Sequence, residues 1–183
     1  MRFNGFEEAW QLTFLIKNFL VQIGGDKPHN TSNVKTKYYP FPLVSNGLGL
    51  NAIVGYTNSY KIKGNCVTMS SRGTIGYPEV RDYPFYPIYR TICLIPRTLA
   101  NVNFIKNSLT KYNFSKQGGV IKQLTTNDID DIQIFMPSFA EQQKIGELFN
   151  KFDKLIGKIN NKIKKLRDIK ESFMNREFSK LNN

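Results

Sequence analysis

Reactive side chains are scarce in this chain. Its 183 residues hold one histidine and two cysteines, which leaves no set of soft ligands for a zinc site and no disulfide framework. Cys66 and Cys93 stand in apolar, strand-like surroundings. They read as buried free thiols of a protein kept in the reducing cytoplasm. His29 lies in the turn-forming stretch 24–30 and reads as an exposed loop residue rather than a catalytic base. There is no G-x-S-x-G elbow, and no carboxylate pair stands in an acid/base context. Asp128, Asp130 and Asp131 precede a strand, where capping or surface charge accounts for them better than a metal. No apolar run approaches the roughly 20 residues of a membrane span. The first residues are acidic (Glu7, Glu8) where a signal peptide would be apolar. These absences point away from enzymes, metal centres and membranes, and no cofactor is implied.

Basic and aromatic residues are plentiful. Lys and Arg number 26 against 14 Asp and Glu, a net charge of +12, with 14 Phe and 9 Tyr. The excess is shared between 1–137, with 15 basic and 8 acidic residues, and 138–183, with 11 and 6. That balance favours a polyanionic partner through phosphate neutralisation and counterion release. At 40% hydrophobic residues the chain can fill a core, so disorder is not expected for most of it.

The last third carries the clearest periodicity. Ser138-Phe139-Ala140-Glu141 has the S-x-x-E form of a capping box after Pro137. Ile145, Phe152, Ile159, Leu166 and Phe173 then recur every seventh residue, with Leu148, Leu155, Lys162 and Ile169 between them. This a/d seam predicts a coiled coil. A helix over 138–176 would be roughly 58 Å long, too long to hide its stripe in a small globule. Position e is also apolar (Phe149, Ile156, Ile163) and position g is lysine (Lys151, Lys158, Lys165). The stripe is therefore wider than two helices need, and Lys162 is a polar seam residue suited to fixing register.

Residues 1–137 read as a separate α+β domain. Stretches 38–44, 52–56, 66–70 and 88–95 are β-branched or aromatic and bounded by Gly, Asn or Pro. They predict a twisted, mostly antiparallel sheet. Residues 7–22 read as a short helix or extended arm leading to a strand. Residues 101–112 predict an amphipathic helix, 117–120 a turn, 126–128 a second helix cap, and 132–136 a short strand. Asn46-Gly47-Leu48-Gly49-Leu50 lacks the third glycine of a dinucleotide fingerprint. Asp82-Tyr83-Pro84-Phe85-Tyr86 faintly echoes the D-P-P-Y loop of amino-methyltransferases, but without a glycine loop for a methyl donor it reads as a proline-stiffened turn.

One loop has the chemistry of a DNA reader. Ser70-Ser71-Arg72-Gly73-Thr74-Ile75-Gly76-Tyr77 joins an arginine shaped for bidentate contact with guanine to glycines that let the backbone approach a ligand. Lys61, Lys63 and Arg81 flank it, with Tyr56 and Tyr60 upstream. The expected DNA-contacting set is Lys61, Lys63, Arg72, Gly73, Thr74, Tyr77 and Arg81. The alternative for this loop is structural, with Gly73 and Gly76 as turn formers and Arg72 paired with a carboxylate.

Three segments resemble the DNA-specificity subunit of type I restriction-modification enzymes. Arg2-Phe3-Asn4-Gly5-Phe6-Glu7-Glu8-Ala9-Trp10 is similar to that family's R-F-x-G-F-x-x-x-W opening. Ser71-Arg72-Gly73-Thr74-Ile75-Gly76 is similar to its A-R-G-S-I-G element, and the stretch from Ile134 to Ile145 to its I-x-x-P-x-x-x-E-Q-x-x-I. The resemblance implies a target-recognition domain (1–137) followed by a spacer helix (138–183). It implies double-stranded DNA as ligand and no catalysis in this chain. Methyltransferase subunits, and restriction subunits through them, would be its partners. Typical members hold two such units in tandem with their helices antiparallel; this chain has one. A homodimer reading a bipartite site through its paired helices is the simplest completion. The alternative is a coiled-coil decoy or assembly factor that binds the methyltransferase without reading DNA.

Overall fold

Residues 2–112, 114 and 123–178 are described by the computed structural model; the turn expected at 117–120 lies outside them. The chain opens with strand β1 (Gln11–Phe14), one turn of helix α1 (Leu15–Asn18) and strand β2 (Phe19–Ile23). The arm expected at 7–22 is thus both extended and helical. Strands β3 (Thr31–Ser32) and β4 (Phe41–Val44), a short 3-10 turn (Gly49–Ala52) and β5 (Ile53–Thr57) follow. Next come β6 (Cys66–Met69), β7 (Pro78–Arg81), β8 (Tyr86–Pro87) and β9 (Ile92–Pro96). Helices α2 (Val102–Thr110) and α3 (Thr126–Asp130), strand β10 (Gln133–Met136) and helix α4 (Phe139–Phe178) complete it.

The class is α+β, and the pairing is antiparallel but for β4 with β8. The strands divide over three sheets rather than one: β2-β9-β6-β7, β3-β5-β4-β8, and the pair β1-β10. Strand alternation explains why β6 and β9 are apolar on both faces. Val67 lies opposite Leu94 and Met69 opposite Ile92, and these four join the larger core with Phe104, Ile105 and Leu109 of α2. Cys66 and Cys93 point the other way, into a smaller core with Val44, Ile62 and Phe85. The central sheet is therefore buried between helices and a second sheet. Both thiols are free and buried. Burial pushes Cys66 up to about 12 and Cys93 well above the ordinary thiol value. Phe85, in the stretch read as a stiff turn, is a fully buried core residue.

Local chemistry sets the helix starts. Asn101 caps α2, its Oδ1 accepting from the Phe104 amide at 3.0 Å. The cap of α3 is Thr125, one residue earlier than expected, in a reciprocal box with Asp128. At α4 the expected box is replaced by a long-range tie. Both oxygens of the buried Glu141 accept from Arg2, Nε to Oε1 and Nη2 to Oε2 at 2.7 Å each. The buried Gln142 accepts from the Asn101 amide at 3.1 Å and donates to the Pro137 carbonyl at 3.0 Å. A side chain at Gly146 would meet the Asn101 side chain and lie 3.2 Å from the Phe104 amide. Ile145 packs against the larger core, so this first seam residue serves the domain instead of a coiled coil.

Two compact units result, Met1–Gly146 and Glu147–Asn183. The division falls inside α4 rather than at Pro137. In the second unit, α4 is exposed throughout 151–178. Phe152, Leu155, Ile159, Leu166, Ile169 and Phe173 all stand in the open on it, Leu166 at 65%. Such a continuous apolar stripe is rare on a surface without a partner. No helix among the described residues is long and apolar enough to cross a membrane.

Candidate nucleic-acid interface

The loop between β6 and β7 is braced from within. The Gly76 amide donates to the Ser70 carbonyl at 2.8 Å, and the Ser70 hydroxyl donates to the Thr74 carbonyl. Gly73 (φ +73°) and Gly76 (φ +71°) take left-handed backbone. At Gly76 a Cβ would strike the Phe114 ring, whereas Gly73 faces open space. The two glycines thus differ: Gly76 is required by packing and Gly73 leaves the loop tip bare. Arg72 is exposed, its Nη2 donating to Gln123 Oε1 at 3.3 Å. It pairs with an amide, not with a carboxylate, so its charge is unneutralised by that bond.

Arg72 lines a cleft of about 430 Å³ with Gly24, Gly25, Asp26, Tyr89 and Arg90. Thr74 and Tyr77 line a separate hollow of about 230 Å³ beside Leu109 and Tyr112. Lys61 and Lys63 are exposed, with Lys61 Nζ 4.6 Å from the Tyr86 ring centre. Of the set expected from sequence, only Arg72 reaches the larger cleft. Arg81 must be withdrawn from it. It is buried, paired with Glu79 at 2.5 Å, and donates to Thr68 at 3.2 Å and Tyr83 at 3.1 Å. Facing Cys66 across the ladder, it is held inside the sheet by bonds that neutralise it. Among the described residues, no cluster of His, Cys, Asp or Glu could hold a metal ion.

Sequence reasoning missed Asn46, Tyr89 and Arg90. Asn46 Oδ1 accepts from the Ser71 amide at 2.8 Å while its Nδ2 donates to the Tyr89 carbonyl at 2.5 Å. One amide side chain therefore joins the Arg72 loop to the Tyr89–Arg90 turn. The Gly24-Gly25-Asp26 composition marked a turn at the cleft, but a Tyr-Arg pair carries no turn signature, and Asn46 sat in a glycine-rich run.

A family model described as the type I restriction modification DNA specificity domain matches residues 8–166. The chain belongs to this family. Among curated relatives, the putative type I specificity subunit S.MpnORF507P of Mycoplasma pneumoniae is 34% identical over 138 residues, covering 75% of this chain and 38% of the relative. S.MpnORF89P of the same organism, also a putative type I specificity subunit, is 30% identical over 130 residues, covering 71% and 39%. The type I restriction-modification S subunit from M. genitalium shares the fold at a TM-score of 0.72 and 16% identity, over 90% of this chain and 44% of that one. A chain from a study of complex assembly and conformational transition of the type I R-M system does so at 0.67, over 94% and 45%. The chain thus spans less than half the length of these relatives. The geometry adds a reason for the family-like motifs at its two ends. Arg2 of the opening hydrogen-bonds Glu141 of the E-Q segment, and Lys144 Nζ lies 5.0 Å from the Phe6 ring centre.

Proposed function

We propose that the chain is a half-sized DNA-specificity subunit of a type I restriction-modification system. The Met1–Gly146 unit reads one half-site of double-stranded DNA. The exposed stripe of α4 pairs with a second copy, and the two helices set the distance between reading heads on a bipartite site. Methyltransferase subunits dock on this frame and supply the chemistry, and restriction subunits join through them; this chain supplies no catalysis. The observation that carries the reading is the junction of a family-matched domain with a helix whose heptad stripe has no cover within its own unit.

Within the domain, Arg72, Gly73, Thr74 and Tyr77, with Lys61 and Lys63, are assigned to the DNA-facing surface. Lysines set affinity through phosphates, while Arg72 contributes to base choice. The experiment is a duplex-binding titration with and without the type I methyltransferase subunit, across a range of salt. Sequence-selective, salt-sensitive binding is expected, with log K falling linearly in log salt. Methyltransferase binding with no sequence selection would favour a decoy or assembly factor, and methylation or cleavage by the chain alone would favour an enzyme.

A further inference from the structure

The turn linking β8 to β9 combines a costly backbone with exposed polar side chains. Tyr89 (φ +52°) and Arg90 (φ +64°) both occupy the left-handed region, and the Thr91 amide closes on the Ile88 carbonyl at 3.2 Å. Two left-handed central residues make the pattern of a type I′ turn, which normally takes Asn-Gly or Gly-Gly because bulkier side chains are strained there. The surroundings hold the strain in place. The Tyr89 amide donates to the Gly25 carbonyl at 2.7 Å and the Arg90 amide to the Gly24 carbonyl at 2.8 Å. Gly24 admits no side chain, since a Cβ would lie 2.7 Å from the Ile88 nitrogen and 2.8 Å from the Pro87 carbonyl carbon. Asn46 then ties the turn to the loop that carries Arg72.

We infer that Tyr89 and Arg90 form a second base-reading element, which shares one cleft with Arg72 and is fixed in register with it by Asn46. This rests on the DNA-reading function proposed above and deepens it. The choice of bases over phosphates follows from the charges in the cleft. Two arginines, Arg72 and Arg90, line it together with one acidic residue, Asp26. A carboxylate repels phosphate and would weaken a backbone cradle. At a base edge the same mixture is useful, because arginine donates to guanine O6 and N7 while a carboxylate accepts from cytosine N4. Half-exposed Tyr89 adds a flat face and a hydroxyl at the rim. Asn46 is a positioning residue: its bonds go to the Ser71 amide and the Tyr89 carbonyl, so it sets the spacing of the two arginines.

The test is selection from a random duplex pool by the full chain with its methyltransferase subunit, followed by sequencing. The variants are Arg90→Lys, Asn46→Ala and the double change Tyr89→Asn with Arg90→Gly. The double change installs a favoured type I′ pair, so it should melt no lower than the parent while discrimination at particular base positions falls roughly 5- to 150-fold. Arg90→Lys keeps the charge and the backbone. It should keep the salt slope and lose preference at a subset of those positions. Asn46→Ala should blur both the positions set by Arg90 and those set by Arg72, an outcome that general destabilisation would not produce position by position. Unchanged base preferences in Arg90→Lys and in the double variant would overturn the inference, as would uniformly weaker binding with a shallower salt slope. A parent chain that enriches no sequence would instead overturn the DNA-reading function itself.

Discussion

Arg2 and Glu141 are 139 positions apart in the chain and joined by two parallel hydrogen bonds of 2.7 Å. Arg2 is about one-third exposed, whereas Glu141 is wholly buried in the first turn of α4. The pair fastens the N-terminal arm to the start of the long helix. Its fork-to-fork geometry is the strongest form of a charge-assisted bond. The Arg2 hydrogen bonds hold Glu141 below the usual carboxylate range against the opposing effect of burial.

The first prediction concerns acid stability. A carboxylate whose native pKa is depressed contributes stability above its unfolded value near 4.3, and that contribution is lost as pH falls through the native value. Glu141→Gln should lower stability at neutral pH by about 1–3 kcal/mol. It should also flatten the fall in melting temperature below about pH 4. Thermal melts of parent and variant from pH 7 to 2 measure both; parallel curves would remove the pair from the account of acid unfolding.

Thiol chemistry gives a second prediction. With Cys66 pushed up to about 12 and Cys93 also raised well above the ordinary thiol value by burial, both stay protonated and unreactive at pH 8 in the folded domain. An aromatic disulfide reagent should therefore label neither residue in buffer and both in denaturant. Fast labelling of the folded chain at either position would show that the smaller core opens readily.

Gly76 offers a packing prediction. Its φ of +71° and the Phe114 ring in the path of any Cβ oppose substitution together. Gly76→Ala should cost about 2–4 kcal/mol, read as a shift in the urea midpoint. Gly73→Ala, with open space around the site, should cost only the backbone term of about 1 kcal/mol. Equal losses would mean that the ring moves aside.

For DNA, Arg72→Ala should weaken specific binding by about 1–3 kcal/mol if the side chain reads a base. The measurement is discrimination between selected and scrambled duplexes at fixed salt. An unchanged ratio would leave Arg72 as a phosphate contact or a bystander.

The helix can be tested by size alone. Light scattering should give a dimer, and Leu155→Asp with Ile159→Asp should give a monomer whose domain still melts cooperatively, because these residues lie in the separate Glu147–Asn183 unit. Lys162→Leu should relax register or orientation while strengthening association. A parent chain that scatters as a monomer, alone and with methyltransferase, would defeat pairing through this stripe.

Much of the architecture was legible because local pattern and final environment agree. Alternation at Ile132, Ile134 and Met136 predicted β10, and 3.6-residue spacing from Val102 to Leu109 predicted α2. The candidate site was only half legible. Arg72 belongs to a motif-like loop, but Arg81 looks equally available in sequence and is in fact buried beside Glu79. Which arginine faces solvent depends on strand register, since Arg81 stands opposite Cys66 and turns with it into the sheet.

What the sequence determined by itself is what repeats or reacts locally: a basic α+β domain, a capped heptad helix, and family-like segments at both ends. Only the tertiary structure decided which distant residues meet. It turned Glu141 from a cap into the anchor of Arg2, packed Ile145 of the seam against the larger core, and set Tyr89 and Arg90 beside Arg72 through Asn46. The physical reason is one of range. Helical and strand periods express contacts a few residues apart, whereas these pairings join segments far apart in the chain, and only the assembled sheets bring them within hydrogen-bonding distance.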